Sequence, residues 1–195
     1  MNNPNALVYP IHEIFHTFQG EGCHMGSAAT FVRFFGCPVH CPWCDSAGTW
    51  HPNHIPKEVA KMSVEQICNE IRSKMVILTG GEPAIRPLEA LVSSLHQRQH
   101  LVHIETSGAF PIKDLYQVPN GSECLDWITV SPKKWAMPMD ECWLRADELK
   151  FIIETPEDID FYYTAWLGAL RRHNIVEDRE LPVWLHPEWS HREDP

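Results

Sequence analysis

Ala28-Ala-Thr-Phe-Val-Arg-Phe-Phe35 runs through Gly36 into Cys37-Pro-Val-His-Cys41-Pro-Trp-Cys44. The first eight residues read as a buried strand, because apolar and β-branched side chains dominate and a glycine ends the run. The next eight place three cysteines at C-x3-C-x2-C spacing. Three thiolates this close can converge on one soft metal centre. On a four-iron cluster they leave one iron open to a small molecule. On zinc they need a fourth ligand such as His40, His51 or His54. The spacing alone admits both metals.

Further strands follow at regular intervals. Met75-Val-Ile-Leu78, Leu101-Val-His-Ile104, Trp127-Ile-Thr-Val130, Leu149-Lys-Phe-Ile-Ile153 and Pro182-Val-Trp-Leu185 are short apolar runs. Helical segments lie between them. Ser63-Val-Glu-Gln66 is a capping box ahead of Val64, Ile67, Cys68 and Ile71. A second helix is predicted from near Pro87, with Leu88, Leu91, Val92 and Leu95 on one face. A third is predicted from Thr155-Pro156, with the threonine as cap and the proline at the first helical position. Its apolar stripe is Ile159, Tyr162, Tyr163, Trp166, Leu167 and Leu170, read as core or dimer surface.

Alternating strands and helices specify an α/β fold with a mainly parallel sheet. The 195 residues are too few for a closed eight-unit barrel, which takes about 250. The expectation is a single domain over residues 1–195, an open partial (β/α) barrel. It has about six mainly parallel strands and helices on the outer face. Gly36-Cys37, Thr79-Gly-Gly-Glu82, Glu105-Thr-Ser-Gly108 and Ser131-Pro-Lys133 all follow strands. Sites in such folds assemble at the carboxyl ends of the strands.

Composition excludes several classes. A formal net charge of −10 repels phosphate, which argues against a nucleic-acid partner. The only local basic pairs are Lys133-Lys134 and Arg171-Arg172. No apolar run reaches the ~20 residues of a membrane span. Met1-Asn-Asn-Pro-Asn5 lacks the features of a secretory signal, and the expected setting is cytoplasmic. Seven cysteines, an odd count, make a disulfide framework improbable. Cys23, Cys68, Cys124 and Cys142 read as structural thiols.

The cysteine loop and Gly80-Gly-Glu-Pro83 at the next strand together resemble the radical S-adenosylmethionine superfamily. Within it the chain is similar to the 7-carboxy-7-deazaguanine synthase family along nearly its whole length. The resemblance implies that Cys37, Cys41 and Cys44 hold a 4Fe-4S cluster and that S-adenosylmethionine completes its open iron. It assigns Trp43, Gly80, Gly81, Glu82, Ser107, Ser131 and Lys133 to the cosubstrate. Lys133 and Lys134 also fit ordinary solvated lysines.

For the substrate, the resemblance implies Gln19 and Glu21 of Phe18-Gln-Gly-Glu-Gly22, with Arg33, Gly80, His186 and Pro195. Arg33 stands alone in an apolar strand, where a charge is costly unless paired. Its implied partner is a substrate carboxylate; a structural ion pair is the alternative. The resemblance also places Mg2+ on Ser46, where many relatives carry threonine. Serine keeps the oxygen.

The implied activity is that of a carbon–nitrogen lyase. It converts 6-carboxy-5,6,7,8-tetrahydropterin to 7-carboxy-7-deazaguanine with loss of ammonia, in queuosine-type biosynthesis. Cluster and cosubstrate carry that chemistry, so no side chain is named as catalytic. The implied partners are the small-molecule pterin, an external electron donor and a second copy in a homodimer. Two other readings share the motifs: a radical activase acting on a partner protein, and a zinc-stabilised binding module.

Overall fold

The computed structural model describes residues 7–112, 125–175 and 180–189. They form one eight-stranded sheet flanked by helices. The strands are β1 (Val8–Phe18), β2 (Ala28–Phe34), β3 (Ala60–Ser63), β4 (Met75–Gly80), β5 (Leu101–Thr106), β6 (Trp127–Val130), β7 (Glu148–Ile153) and β8 (Val183–Pro187). The helices are α1 (Val64–Glu70), α2 (Glu89–Gln97), α3 (Asp140–Arg145) and α4 (Glu157–Arg172).

The sheet order is β3-β1-β2-β4-β5-β6-β7-β8. From β2 to β8 every pairing is parallel, which gives the expected array of six strands. Two antiparallel strands, β1 and β3, extend it beyond that expectation. The end strands β3 and β8 do not pair, so the barrel stays open.

The main core lies between the outer face of the sheet and the helices. Val32, Phe34, Val76, Leu78, Val102, Ile104, Val130, Leu149 and Phe151 supply the sheet side. Leu88, just before α2, and Leu91, Val92 and Leu95 within it are fully buried against them, as their spacing predicts. Each such side chain contributes about 1.5–3 kcal/mol through burial. The capping box of α1 forms as read: Ser63 Oγ accepts from Gln66 N, and Gln66 Oε1 accepts from Ser63 N.

The start of α4 differs from its reading. Thr155 does not cap it; the helix begins at Glu157, and Pro156 sits before it without a side-chain cap. The carboxylate of Asp158 instead accepts from the amides of Glu154 and Thr155, at 2.8 and 3.1 Å. The Thr155 hydroxyl itself donates to Asp158 Oδ1 at 3.2 Å. The α4 stripe also divides. Tyr162 and Trp166 are buried, whereas Ile159 and Tyr163 are exposed.

Alternation along the strands gives the concave face a different character. Ala29, Phe31, Met75 and Ile77 form a small apolar cluster there with Phe15. Further along the sheet, the inward positions are His103, Glu105, Thr129, Glu148 and Lys150. The connection from β1 to β2 turns back across this polar half. His24 lies edge-on to His103 and Trp127, with ring centroids 4.5 and 4.6 Å away. Residues 19–27 thereby floor the partial barrel.

Candidate active site

A cavity of about 660 Å³ opens at the carboxyl ends of the parallel strands. Cys37, Cys41, Cys44 and Trp43 line one wall; Gly80, Gly81, Glu82, Ser107, Ser131 and Lys133 line the rim. Gln19, Glu21, Arg33, Ser46 and His186 face the same space. Every residue that the resemblance assigned to cluster, Mg2+, cosubstrate or substrate therefore reaches this one cavity except Pro195, while His40, His51 and His54 do not line it. Pro195 lies outside the described residues. Cys124 lies outside them too.

The cysteine loop is tied down by aromatic and backbone contacts. Trp43 packs edge-on to Trp135, whose Nε1 donates to Val39 O at 2.8 Å. His40 stacks on Trp50, with ring centroids 4.5 Å apart. Burial pushes the Cys37 thiol up and the Cys41 thiol to about 11, and the neighbouring thiols add to both shifts. Such thiols give up their protons when a cation compensates the charge. Among the described residues, no three His, Cys, Asp or Glu side chains converge closely enough for a single metal ion. Three cysteine sulfurs on one wall are the donor type that an iron–sulfur cluster takes.

Gly80 and Gly81 bring the β4 turn against the strand that precedes this loop. Gly80 has φ +128, and a Cβ there would lie 2.2 Å from Phe34 N. A Cβ at Gly81 would lie 2.1 Å from Gly36 O. Only residues without a side chain permit that approach. Glu82 is 2% exposed and joins the rims of β4 and β5. Its carboxylate accepts from Ala84 N at 3.1 Å, Thr106 Oγ1 at 2.6 Å, Ser107 N at 2.8 Å and Ser107 Oγ at 2.5 Å.

The two lysines of Lys133-Lys134 separate. Lys133 is buried, and its Nζ donates to Ser131 O and Ser131 Oγ, both at 2.7 Å. Burial pulls its pKa down to about 8, with the Cys41 thiol acting in the opposite direction. Lys134 instead pairs with Asp158 at 2.5 Å.

On the substrate side, Arg33 projects from β2 over the Phe15 ring, pairs with Glu13 at 2.9 Å and donates to Ser46 Oγ. Both readings of Arg33 thus meet at one residue: it has a structural partner and still faces the cavity. Ser46 Oγ donates to Asp45 Oδ1 at 3.0 Å, which leaves an oxygen lone pair for a hard cation. Gln19 Nε2 donates to Glu105 Oε1 at 2.9 Å, and Thr79 Oγ1 donates to Glu105 Oε2 at 2.9 Å. His186 Nδ1 lies 3.8 Å from Glu21 Oε1.

Lys150 and Glu105 are cavity residues that the sequence reading did not single out. Lys150 Nζ donates to Glu21 Oε2 at 2.7 Å. Burial pulls its pKa down, but Glu105, Glu21 and Asp45 more than offset this and hold the ammonium above its ordinary range. The signal for it was the one that marked Arg33: a lone charge inside an apolar strand.

An open parallel sheet with a triple-cysteine loop after one strand and a Gly-Gly-Glu turn after the next defines a radical S-adenosylmethionine protein. The sequence profile of the Radical SAM superfamily matches residues 31–136. The 7-carboxy-7-deazaguanine synthase of Synechocystis sp. is 40% identical over 95% of this chain and 80% of its own length. That of Flavobacterium psychrophilum is 35% identical over 95% and 79%, and that of Escherichia coli K12 is 32% identical over 79% and 76%. The crystal structure of QueE from Escherichia coli superimposes with a TM-score of 0.72 at 28% identity, covering 96% of this chain and 86% of that one. The chain belongs to the 7-carboxy-7-deazaguanine synthase family.

Proposed function

We propose that this enzyme converts 6-carboxy-5,6,7,8-tetrahydropterin to 7-carboxy-7-deazaguanine with loss of ammonia, supplying queuosine-type biosynthesis. The observation that carries this reading is the sharing of one cavity by the three thiols, the Gly80–Glu82 turn and the Gln19, Glu21 and Arg33 side chains.

Cys37, Cys41 and Cys44 would hold the 4Fe-4S cluster. When bound, that cluster supplies the electron that cleaves S-adenosylmethionine to the radical that starts the reaction. The chain's own tasks are binding, orientation and exclusion of water. Gly80 and Gly81 expose backbone to the cosubstrate, while Glu82, Ser107, Ser131 and Lys133 define its rim. Trp43 borders the same space.

Arg33 offers a guanidinium to the substrate carboxylate, a bidentate match. Gln19, Glu21 and His186 present donors and acceptors to the edge of the pterin ring. Gly80 leaves room beside the ring. Ser46 would hold Mg2+ together with substrate oxygens. The reading includes an external electron donor, a homodimer and a cytoplasmic setting. Among the described residues, no helix is long and apolar enough to cross a membrane.

The test is anaerobic turnover of the reconstituted enzyme with S-adenosylmethionine, a reductant and the carboxytetrahydropterin. The expected product has the mass of 7-carboxy-7-deazaguanine. Unchanged pterin, with iron and cosubstrate both bound, overturns the reading.

A further inference from the structure

The inward face of β7 carries a charged group that the proposed chemistry does not use. Glu148 stands at the amino-terminal end of that strand and is 4% exposed. An acid so deeply buried needs a structural partner. Its two oxygens are divided between two elements. Oε1 accepts from Thr129 Oγ1 of β6 at 2.7 Å, and Oε2 accepts from the backbone amide of Cys23 at 2.8 Å. Burial by itself raises the pKa of the acid. The hydrogen bonds from Cys23 and Thr129 outweigh that effect and hold it below the ordinary carboxylate range.

The loop is shaped to receive this carboxylate. Gly22 adopts φ +70, and a Cβ there would lie 2.5 Å from Glu148 Oε1 and 2.7 Å from Oε2. A side chain is thus excluded by conformation and by contact at once. Cys23 follows and donates its amide. Immediately before them come Gln19 and Glu21, both facing the cavity. Gln19 is bonded to Glu105 and Glu21 to Lys150. Those two attachments join side chains that the substrate itself would engage. The Glu148 attachment joins a side chain to backbone and sits below the cavity, so it persists whatever the other two groups bind.

We propose that Glu148 is a positioning residue: its carboxylate clamps the Gly22–Cys23 backbone to β7 and so sets where Gln19 and Glu21 stand in the cavity. This rests on the proposed reading that Gln19 and Glu21 face the pterin ring. The clamp acts on substrate geometry: its bonds run to Thr129 and the Cys23 amide, neither of which is assigned to the cosubstrate.

The test compares wild type, Glu148→Ala, Glu148→Gln, Gly22→Ala and the double variant Glu148→Ala with Gly22→Ala as cluster-loaded enzymes. Glutamine preserves both bonds, because its carbonyl can accept from Cys23 N while its amide donates to the Thr129 hydroxyl. Glu148→Ala is expected to raise KM for the pterin about tenfold or more, while KM for S-adenosylmethionine stays within about twofold. Glu148→Gln is expected to stay within about threefold of wild type for both. Gly22→Ala disturbs the same contact from the loop side and should also raise the pterin KM. Its effect and that of Glu148→Ala should combine to less than their product.

Hydrogen exchange at amides 20–24 gives a readout independent of turnover, and it should speed up in Glu148→Ala but not in Glu148→Gln. A wild-type pterin KM in Glu148→Ala overturns the proposal. So does an equal loss for the cosubstrate, or a full product of the two single effects. If Glu148→Ala does not fold, the Gln and Gly22 variants still decide. If wild type itself leaves the pterin unchanged, the functional reading fails, and the exchange comparison alone still shows whether Glu148 holds the loop.

Discussion

His103 makes the floor of the cavity sensitive to acid, by an amount that can be worked out. Its ring is 6% exposed on the concave face and touches His24. Burial, followed by the proximity of His24, lowers its pKa from 6.5 to about 4; Asp126 and Glu148 pull the other way without reversing it. A histidine whose folded-state pKa lies below its unfolded value takes up its proton more readily in the unfolded chain. Stability is therefore full above pH 6.5 and falls as the pH drops from 6.5 to 4. Linkage between those values gives a loss of about 2 kcal/mol at pH 5 and about 3 kcal/mol below pH 4. His103→Phe keeps a flat ring against His24 and Trp127 and removes the titration. Urea unfolding under anaerobic conditions at pH 7.5 and 5.0 measures both proteins. Other acid-sensitive groups are common to the two, so wild type should lose about 2 kcal/mol more than the variant. At an m-value of about 2–3 kcal/mol/M, that separates the midpoints by roughly 0.7–1 M urea. Parallel losses in the two proteins would refute the reasoning.

Other expectations are read directly from the site. Cys41→Ala should abolish cluster binding and turnover, and iron analysis after anaerobic reconstitution checks it; full iron content contradicts the ligand assignment. Arg33→Ala should raise the pterin KM by roughly ten- to a hundredfold, the loss of a charge-assisted bidentate contact. Its KM for S-adenosylmethionine should stay nearly unchanged, and a collapse of cosubstrate affinity alone removes the carboxylate contact from Arg33. Ser46→Ala should shrink the rate gain from added Mg2+, and an unaltered Mg2+ titration takes the ion away from Ser46. Gly81→Ala forces a methyl to within 2.1 Å of Gly36 O, so cluster loading and melting temperature should both fall. Normal values of both place the close approach in doubt.

The parallel strands and α2 were readable because their signals are local. Leu88, Leu91, Val92 and Leu95 recur at helical spacing, and each is buried as that spacing requires. β1 carried no comparable pattern: His12, Glu13, His16 and Thr17 interrupt its apolar residues, and it is held by long ladders to β2 and β3. β3 has four residues and exists through its pairing with β1. α3, at six residues, is too short to show a period. The mistaken cap at Thr155 has a related cause. Threonine before proline is a sound local signal, yet the Thr155 hydroxyl donates to Asp158 Oδ1 at 3.2 Å and is spent on that side chain instead of the helix amides.

The sequence by itself determined the cysteine spacing, the Gly-Gly-Glu-Pro turn and the parallel array whose carboxyl ends carry them. These features follow from covalent order and short-range periodicity, which no tertiary arrangement alters. Tertiary structure decided what lies opposite them. Lys150 meets Glu21 across 129 residues and Glu148 meets Cys23 across 125, and each contact depends on a loop folding back over a strand far along the chain. No local pattern encodes such a pair. It arises because a polar inward row on β7 is costly to bury unless the floor loop satisfies it.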